Sequence, residues 1–296
     1  MALIRRAAIA MLLLGVGSPA LAHGLDEAGR HGPGWTWDPW ITLPLGVALL
    51  LFAIGWLRLR RRSGPGAPQL ARRAFLFAFG WALLAFALVS PLHQLGEHSF
   101  AAHMFEHELL MLAAAPLLVL SRPLAIMLWA FPPGGRRALG AGAGAIAPLW
   151  KVLTAPIIAT LVQAAALWLW HMPALFDRAL ASENWHAFQH LSFLVSALLF
   201  WSAMLARATP RGAAVLCLFA TSLVSGALGA LMAFAASPWY ARYAAMGLAP
   251  FGLSPVEDQQ FAGLLMWIPG GMVHAGAALV LLHAMLRTGR EHRHAG

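Results

Sequence analysis

Two pairs of histidines give this sequence its chemistry. His103 and His107 are four residues apart, and so are His186 and His190. On a helix, residues i and i+4 share a face with their Cβ atoms about 6 Å apart, so each pair can grip one metal ion. His171 follows Trp168-Leu169-Trp170, and His274 follows Pro269-Gly270-Gly271. Met104, Met111, Met172, Met266 and Met272 lie near these histidines in the chain. Imidazole with thioether suits copper in both oxidation states better than it suits magnesium, calcium or manganese. The candidate metal ligands are therefore His103, His107, His171, His186, His190, His274, Met104 and Met172. A single cysteine, Cys217, lies in an apolar run, which excludes a disulfide framework, a CxxC pair and a thiolate-rich site. His93 and His98 stand alone and read as interface residues.

These ligands need elements to position them, and composition names the solvent. Hydrophobic residues fill 60% of the 296 positions, charged residues 10%, and mean hydropathy is +0.70. A soluble domain carries roughly 25% charged residues, so the chain is read as an all-α integral membrane bundle. Apolar runs give about seven spans: Trp40–Leu57, Ala74–Leu92, His103–Leu120, Leu153–Trp170, His186–Leu205, Ala213–Ala236 and Phe261–Leu286. Between the third and fourth, Leu124–Phe131 is too short to cross and is expected at the interface. Arg5 and Arg6, the apolar Ala7–Val16 and the small residues of Ser18-Pro19-Ala20-Leu21-Ala22 form a signal peptide over 1–22, cleaved after Ala22. An outer segment, 23–39, then precedes the bundle, 40–287, and a cytoplasmic tail, 288–296, follows it.

The net charge of +9 does not point to nucleic acid, because the basic residues form short clusters between spans rather than one polar face. Those clusters, within 58–73, 122–151, 207–211 and 287–293, alternate with acid-bearing segments that hold only Arg30, Arg178 and Arg242. By the positive-inside rule the mature N-terminus lies outside a bacterial plasma membrane and the C-terminus in the cytoplasm. The third span reaches sufficient length before Arg122-Pro123 only if it opens at His103. His107 and Glu108 then enter the bundle and face its interior, where polar groups avoid lipid. His274 falls about 13 residues, or roughly 20 Å, into the seventh span, after a Pro-Gly-Gly sequence expected to break or kink it. Gly226 and Gly229, with Ser222, Ser225 and Ala230, read as a close helix-packing surface. His103-Met104-Phe105-Glu106-His107 also fits H-x-x-E-H, the zinc-peptidase pattern with a glutamate base, which keeps a membrane metalloprotease in view.

Taken together, His103-Met104-x-x-His107, Trp170-His171-x-Pro173, His186-x-x-x-His190 with Phe200-Trp201, and Met266-Trp267-Ile268-Pro269-Gly270-Gly271 followed by His274 resemble the multi-spanning CtaG family of cytochrome c oxidase assembly factors. This family is distinct from the single-span copper chaperone that shares the name. The resemblance runs from about Trp40 to Leu286. It implies a non-enzymatic protein that helps make an active heme-copper oxidase by handling copper, with an oxidase subunit in the same bilayer as partner. A heme-binding electron carrier is the alternative, since histidines on facing helices can ligate heme iron from both sides.

Reporter fusions test the topology. A fusion within the 58–73 loop should report cytoplasm and one within 177–183 the outer side; periplasmic activity from the first would overturn the orientation.

Overall fold

A chain segment in lipid must close its own backbone hydrogen bonds, and a helix does so within the segment. In the computed structural model, which describes residues 34–294 apart from 63 and 65, the apolar runs are helical and no strand occurs among the described residues. In chain order the helices are α1 (Pro39–Arg60), α2 (Ala67–Val89), α3 (Pro91–Gly96), α4 (Phe100–Ser121), α5 (Pro123–Met127) and α6 (Pro133–Leu153). They continue as α7 (Pro156–Trp170), α8 (Pro173–Ala181), α9 (Glu183–Met204), α10 (Arg211–Ala233), α11 (Ala241–Met246) and α12 (Pro255–His294). Many open on proline, whose missing N–H would be unpaired in a first turn anyway. The expected signal peptide and residues 23–33, with His23 and His31, lie outside the described residues.

Helices α1, α2, α4, α9, α10 and α12 are each long and apolar enough to cross a membrane, and the bent pair α6 and α7 supplies a seventh candidate. The protein is thus a multi-pass membrane protein, with most span boundaries within a few residues of those read from the sequence. The fourth span differs from expectation. Its unbroken part, α7, has 15 residues, and the chain turns by 77° between α6 and α7. Ala155 precedes Pro156 and is extended, at φ −65° and ψ 133°, because a pre-proline residue is driven from the helical region. Helix α6 was not expected, and none of its residues is buried.

The interfacial piece after α4 begins at a sharp corner, where Arg122 adopts the left-handed conformation at φ 51° before Pro123. Arg58 donates to the Trp129 and Ala130 carbonyls at 3.2 and 2.9 Å. The Arg136 guanidinium lies 4.2 Å from the centre of the Trp129 ring. Arg58 thus ties this piece to the end of α1 by hydrogen bonding, and Arg136 ties it to the start of α6 by cation–π attraction.

Helices α10 and α12 pack backbone to backbone. A β-carbon added at Gly263 would fall 2.5 Å from the Gly229 carbonyl oxygen, and one added at Gly229 would fall 2.7 Å from the Gly263 oxygen. Gly226 meets the Trp267 ring. The glycine part of the expected packing surface is therefore in place, as van der Waals packing between membrane helices favours. Valine at Gly263 should push α10 from α12 at a cost of at least about 1–3 kcal/mol, the usual penalty of overpacking. Thermal unfolding of the purified variant in detergent should show a lowered midpoint; an unchanged one would contradict this crossing.

Candidate metal centre

The site is built on the first turns of α4. Its opening N–H groups have no partners within the helix; Ser99 Oγ accepts from Ala102 N at 3.2 Å, and Asp258, from α12, takes the two N–H groups before it. The Asp258 carboxylate accepts from Ser99 Oγ at 2.8 Å, Phe100 N at 2.6 Å and Ala101 N at 3.4 Å. A negative charge here also complements the positive end of the helix dipole. The contact joins residues far apart in sequence and fixes the start of α4 against α12. His103, Glu106 and His107 follow within the next two turns.

Just beyond them α4 widens into a π-turn over Leu109–Ala114, with Ala115 N donating to Leu110 O five residues back. The next bond of that pattern would need an N–H at Pro116, which has none, so the Met111 carbonyl loses its helical donor. Trp201 of α9 supplies one, its indole N–H donating to Met111 O at 2.9 Å. The irregularity that follows the histidines is thereby locked to α9, which carries the second histidine pair.

α4 and α9 bring the two pairs together. The rings of His103 and His107 lie 4.4 Å apart, those of His186 and His190 4.4 Å, and across the helices His107 and His190 are 4.9 Å and His103 and His186 5.1 Å apart. Ligand atoms of His103, His107 and His190 all fall within 4.8 Å of one another, and so do those of His93, Glu106 and His190. His190 Nδ1 donates to the His186 carbonyl at 3.1 Å, which turns its Nε2 toward the cluster, where Glu106 Oε1 lies 3.2 Å away. Holding one ring nitrogen on a backbone carbonyl is how proteins commonly orient a metal-binding histidine.

Glu106 is fully buried, and its Oε1 accepts from His93 Nδ1 at 2.8 Å and lies 3.2 Å from His190 Nε2. Burial lowers the affinity of the His93 imidazole for a proton, but the hydrogen bond and charge of Glu106 outweigh it, and the His93 pKa is raised. Both ring nitrogens of His103 and of His107, Glu106 Oε2, His186 Nε2 and His190 Nε2 are buried without a well-aligned hydrogen bond. Several imidazoles beside one carboxylate, all short of partners, form a group that a cation would satisfy.

His171 and Met104 meet on the inner flank. His171 Nδ1 donates to the Leu167 carbonyl at 2.6 Å, and its Nε2 faces Met104 Sδ at 3.2 Å. Burial pushes the His171 imidazole down to about 4, against the lift from the Leu167 hydrogen bond, so the ring is neutral with its lone pair toward sulfur. The Tyr240 hydroxyl holds this turn by donating to His171 O at 3.0 Å.

Of the residues singled out in the sequence, His103, His107, His186 and His190 converge, with His171 and Met104 beside them. His274 lies elsewhere, stacked on Trp201 at 5.9 Å. Met172 is 51% exposed, so burial does not hold it against the cluster. His93 corrects the interface reading: it belongs to the site, and its stack on His186 at 5.2 Å had no local signal in the sequence. His98 stays apart, its Nδ1 on the carbonyl of Gln94. Asp258 was also missed, because nothing in the sequence links it to a helix start so far away.

Fold and cluster define a multi-pass helical membrane protein with a buried His/Glu group able to hold a metal ion. Residues 50–288 match the model of the cytochrome c oxidase caa3 assembly factors, Caa3_CtaG, and the chain belongs to that family. No curated protein and no solved structure matches it.

Replacing Asp258 with alanine should cost about 0.5–2 kcal/mol, the usual loss of a helix cap, and should loosen the His103 turn. Asparagine, which keeps one acceptor oxygen, should cost less. Unfolding midpoints equal to wild type for both would show that the cap contributes nothing.

Proposed function

We propose that the protein assists assembly of a heme-copper oxidase by binding copper at His103, His107 and His190 and delivering it to an oxidase subunit in the same membrane. The observation that carries this reading is the convergence of three imidazoles, with both nitrogens of His103 and of His107 and the Nε2 of His190 buried and without a well-aligned hydrogen bond. Neutral nitrogen ligands suit copper in either oxidation state, and the nearby Met104 thioether is a soft, exchangeable donor for Cu(I). His93 and Glu106 then act around the site, with the carboxylate held by His93 and offsetting cationic charge. Family membership supports the destination, and the charge pattern supports an outward-facing site on a bacterial plasma membrane, reachable from the side on which copper arrives.

The other readings fit the geometry less well. Rings 4.9–5.1 Å apart across the two helices leave no slot between the two pairs for a porphyrin plate. A peptidase of the H-x-x-E-H type needs its glutamate free to take a proton from water, and here the Glu106 carboxylate is held by His93. A non-enzymatic role follows from this reading.

Alanine at His107 or His190 should each remove most of the copper bound at this site, and the double variant should be little worse than either, because ligands of one ion are coupled. Metal analysis after copper loading reads this directly; no loss from either change would return the histidines to a structural role. In a host lacking the protein, the oxidase subunit should accumulate with heme but depleted of copper, with activity partly restored by excess external copper. Normal copper content in an inactive oxidase would rule out delivery.

A further inference from the structure

Deeper in the bundle, four helices enclose a second polar group. Glu108 and Met111 of α4, Gln163 of α7, Thr221 and Ser225 of α10 and His274 of α12 line a cavity with ≈ 20 Å³ of free volume. About 10–15 Å³ measured in this way holds one water-sized guest. The hydrogen bonds around it leave a one-sided surface. Thr221 Oγ donates to Cys217 O at 2.9 Å, Ser225 Oγ donates to Thr221 O at 2.8 Å, and Gln163 Nε2 donates to Met111 Sδ at 3.3 Å. With these donors spent within the wall, acceptors remain: Glu108 Oε2 and Gln163 Oε1 are each buried without a well-aligned hydrogen bond, and the His274 imidazole, with the Gly270 carbonyl beside it as acceptor for one ring nitrogen, keeps the other as an acceptor.

The placement is constrained from several sides. The His274 ring is held by a parallel stack on Trp201 and an edge contact with Phe200 at 5.8 Å. Trp201 is itself fixed to Met111 O. A β-carbon at Gly270 would stand 3.6 Å from Glu108 Oε2, so no side chain of that residue separates α12 from the carboxylate. Polar groups at membrane depth are costly unless partnered, and an acceptor-lined cavity with one carboxylate is partnered best by one cation.

We propose that this cavity is a second, inner Cu(I) site, with His274 nitrogen, Met111 sulfur and Glu108 oxygen as its ligands. A monovalent ion balances the single carboxylate. Cu(I) takes few ligands and favours imidazole and thioether, both of which the wall presents. The inference rests on copper being the cargo of the three-histidine cluster, and the two sites share α4, since Glu108 directly follows His107. An ion leaving the cluster toward the membrane interior would meet this cavity along the same helix.

The test is anaerobic titration of the full-length, metal-free protein in detergent with Cu(I), in competition with a chromophoric Cu(I) chelator. Wild type should bind two equivalents. His274→Ala and the volume-conserving Met111→Leu should each bind one, while His107→Ala should also bind one, by loss of the outer ion. Size-exclusion profiles matching wild type establish that each variant is folded, and Met111→Leu serves if His274→Ala is not. Two equivalents in both inner variants, or a single equivalent in wild type that only the outer variants remove, would overturn the inner site and leave the outer one standing. Loss of one equivalent in the inner variants with none in His107→Ala or His190→Ala would do the reverse. Sodium is the competing occupant: broadening of the ²³Na resonance by wild type but not by Glu108→Gln, with no Cu(I) bound at the cavity, would overturn the copper assignment.

Discussion

A buried imidazole nitrogen with nothing to bond is the constraint on which this structure turns. Leaving a polar atom unpartnered away from water costs about 1–3 kcal/mol, and His103 and His107 alone contribute four such nitrogens. Stability alone would favour apolar residues at these positions. A cation could complete the arrangement, and bonds elsewhere in the bundle hold the histidines ready to receive one.

That readiness comes from interactions at a distance from the nitrogens. Asp258 sets where α4 begins, and with it the height of His103 and His107. The π-turn and the Trp201–Met111 bond fix where α4 goes next and lock it to α9. His171 O accepts from Tyr240, and the Gly96 carbonyl from the Tyr243 hydroxyl at 2.5 Å, so the segments flanking the cluster are tied to the α11 region. Each of these bonds orders backbone rather than ligand. The ligands can then exchange an ion while their supports stay in place.

What the sequence made legible followed from periodicity and solvent. Spans of apolar residues can be read because lipid demands helices of a given length, and the two histidine pairs can be read because i and i+4 share a face. The break before α7 was signalled by Pro156 but hidden within an otherwise apolar run. His93 and Asp258 act across the fold, on partners that no local pattern indicates. The H-x-x-E-H match placed Glu106 beside two histidines but gave no sign of His93, ten residues upstream of His103, which donates to its oxygen. His274 was legible as a histidine deep in the seventh span after Pro-Gly-Gly, but the neighbours the fold gives it, Glu108, Met111 and Gln163, come from other helices and had no local signal.

In the proposed function, imidazoles of α4 and α9 hold copper together. X-ray absorption at the copper edge, on protein loaded with one equivalent in a His274→Ala background, tests it most directly. The expected spectrum has a first shell dominated by nitrogen with the outer-shell scattering of several imidazole rings, diminished when His107 or His190 is also replaced. A first shell of oxygen without imidazole scattering, or a spectrum indifferent to those replacements, would contradict it.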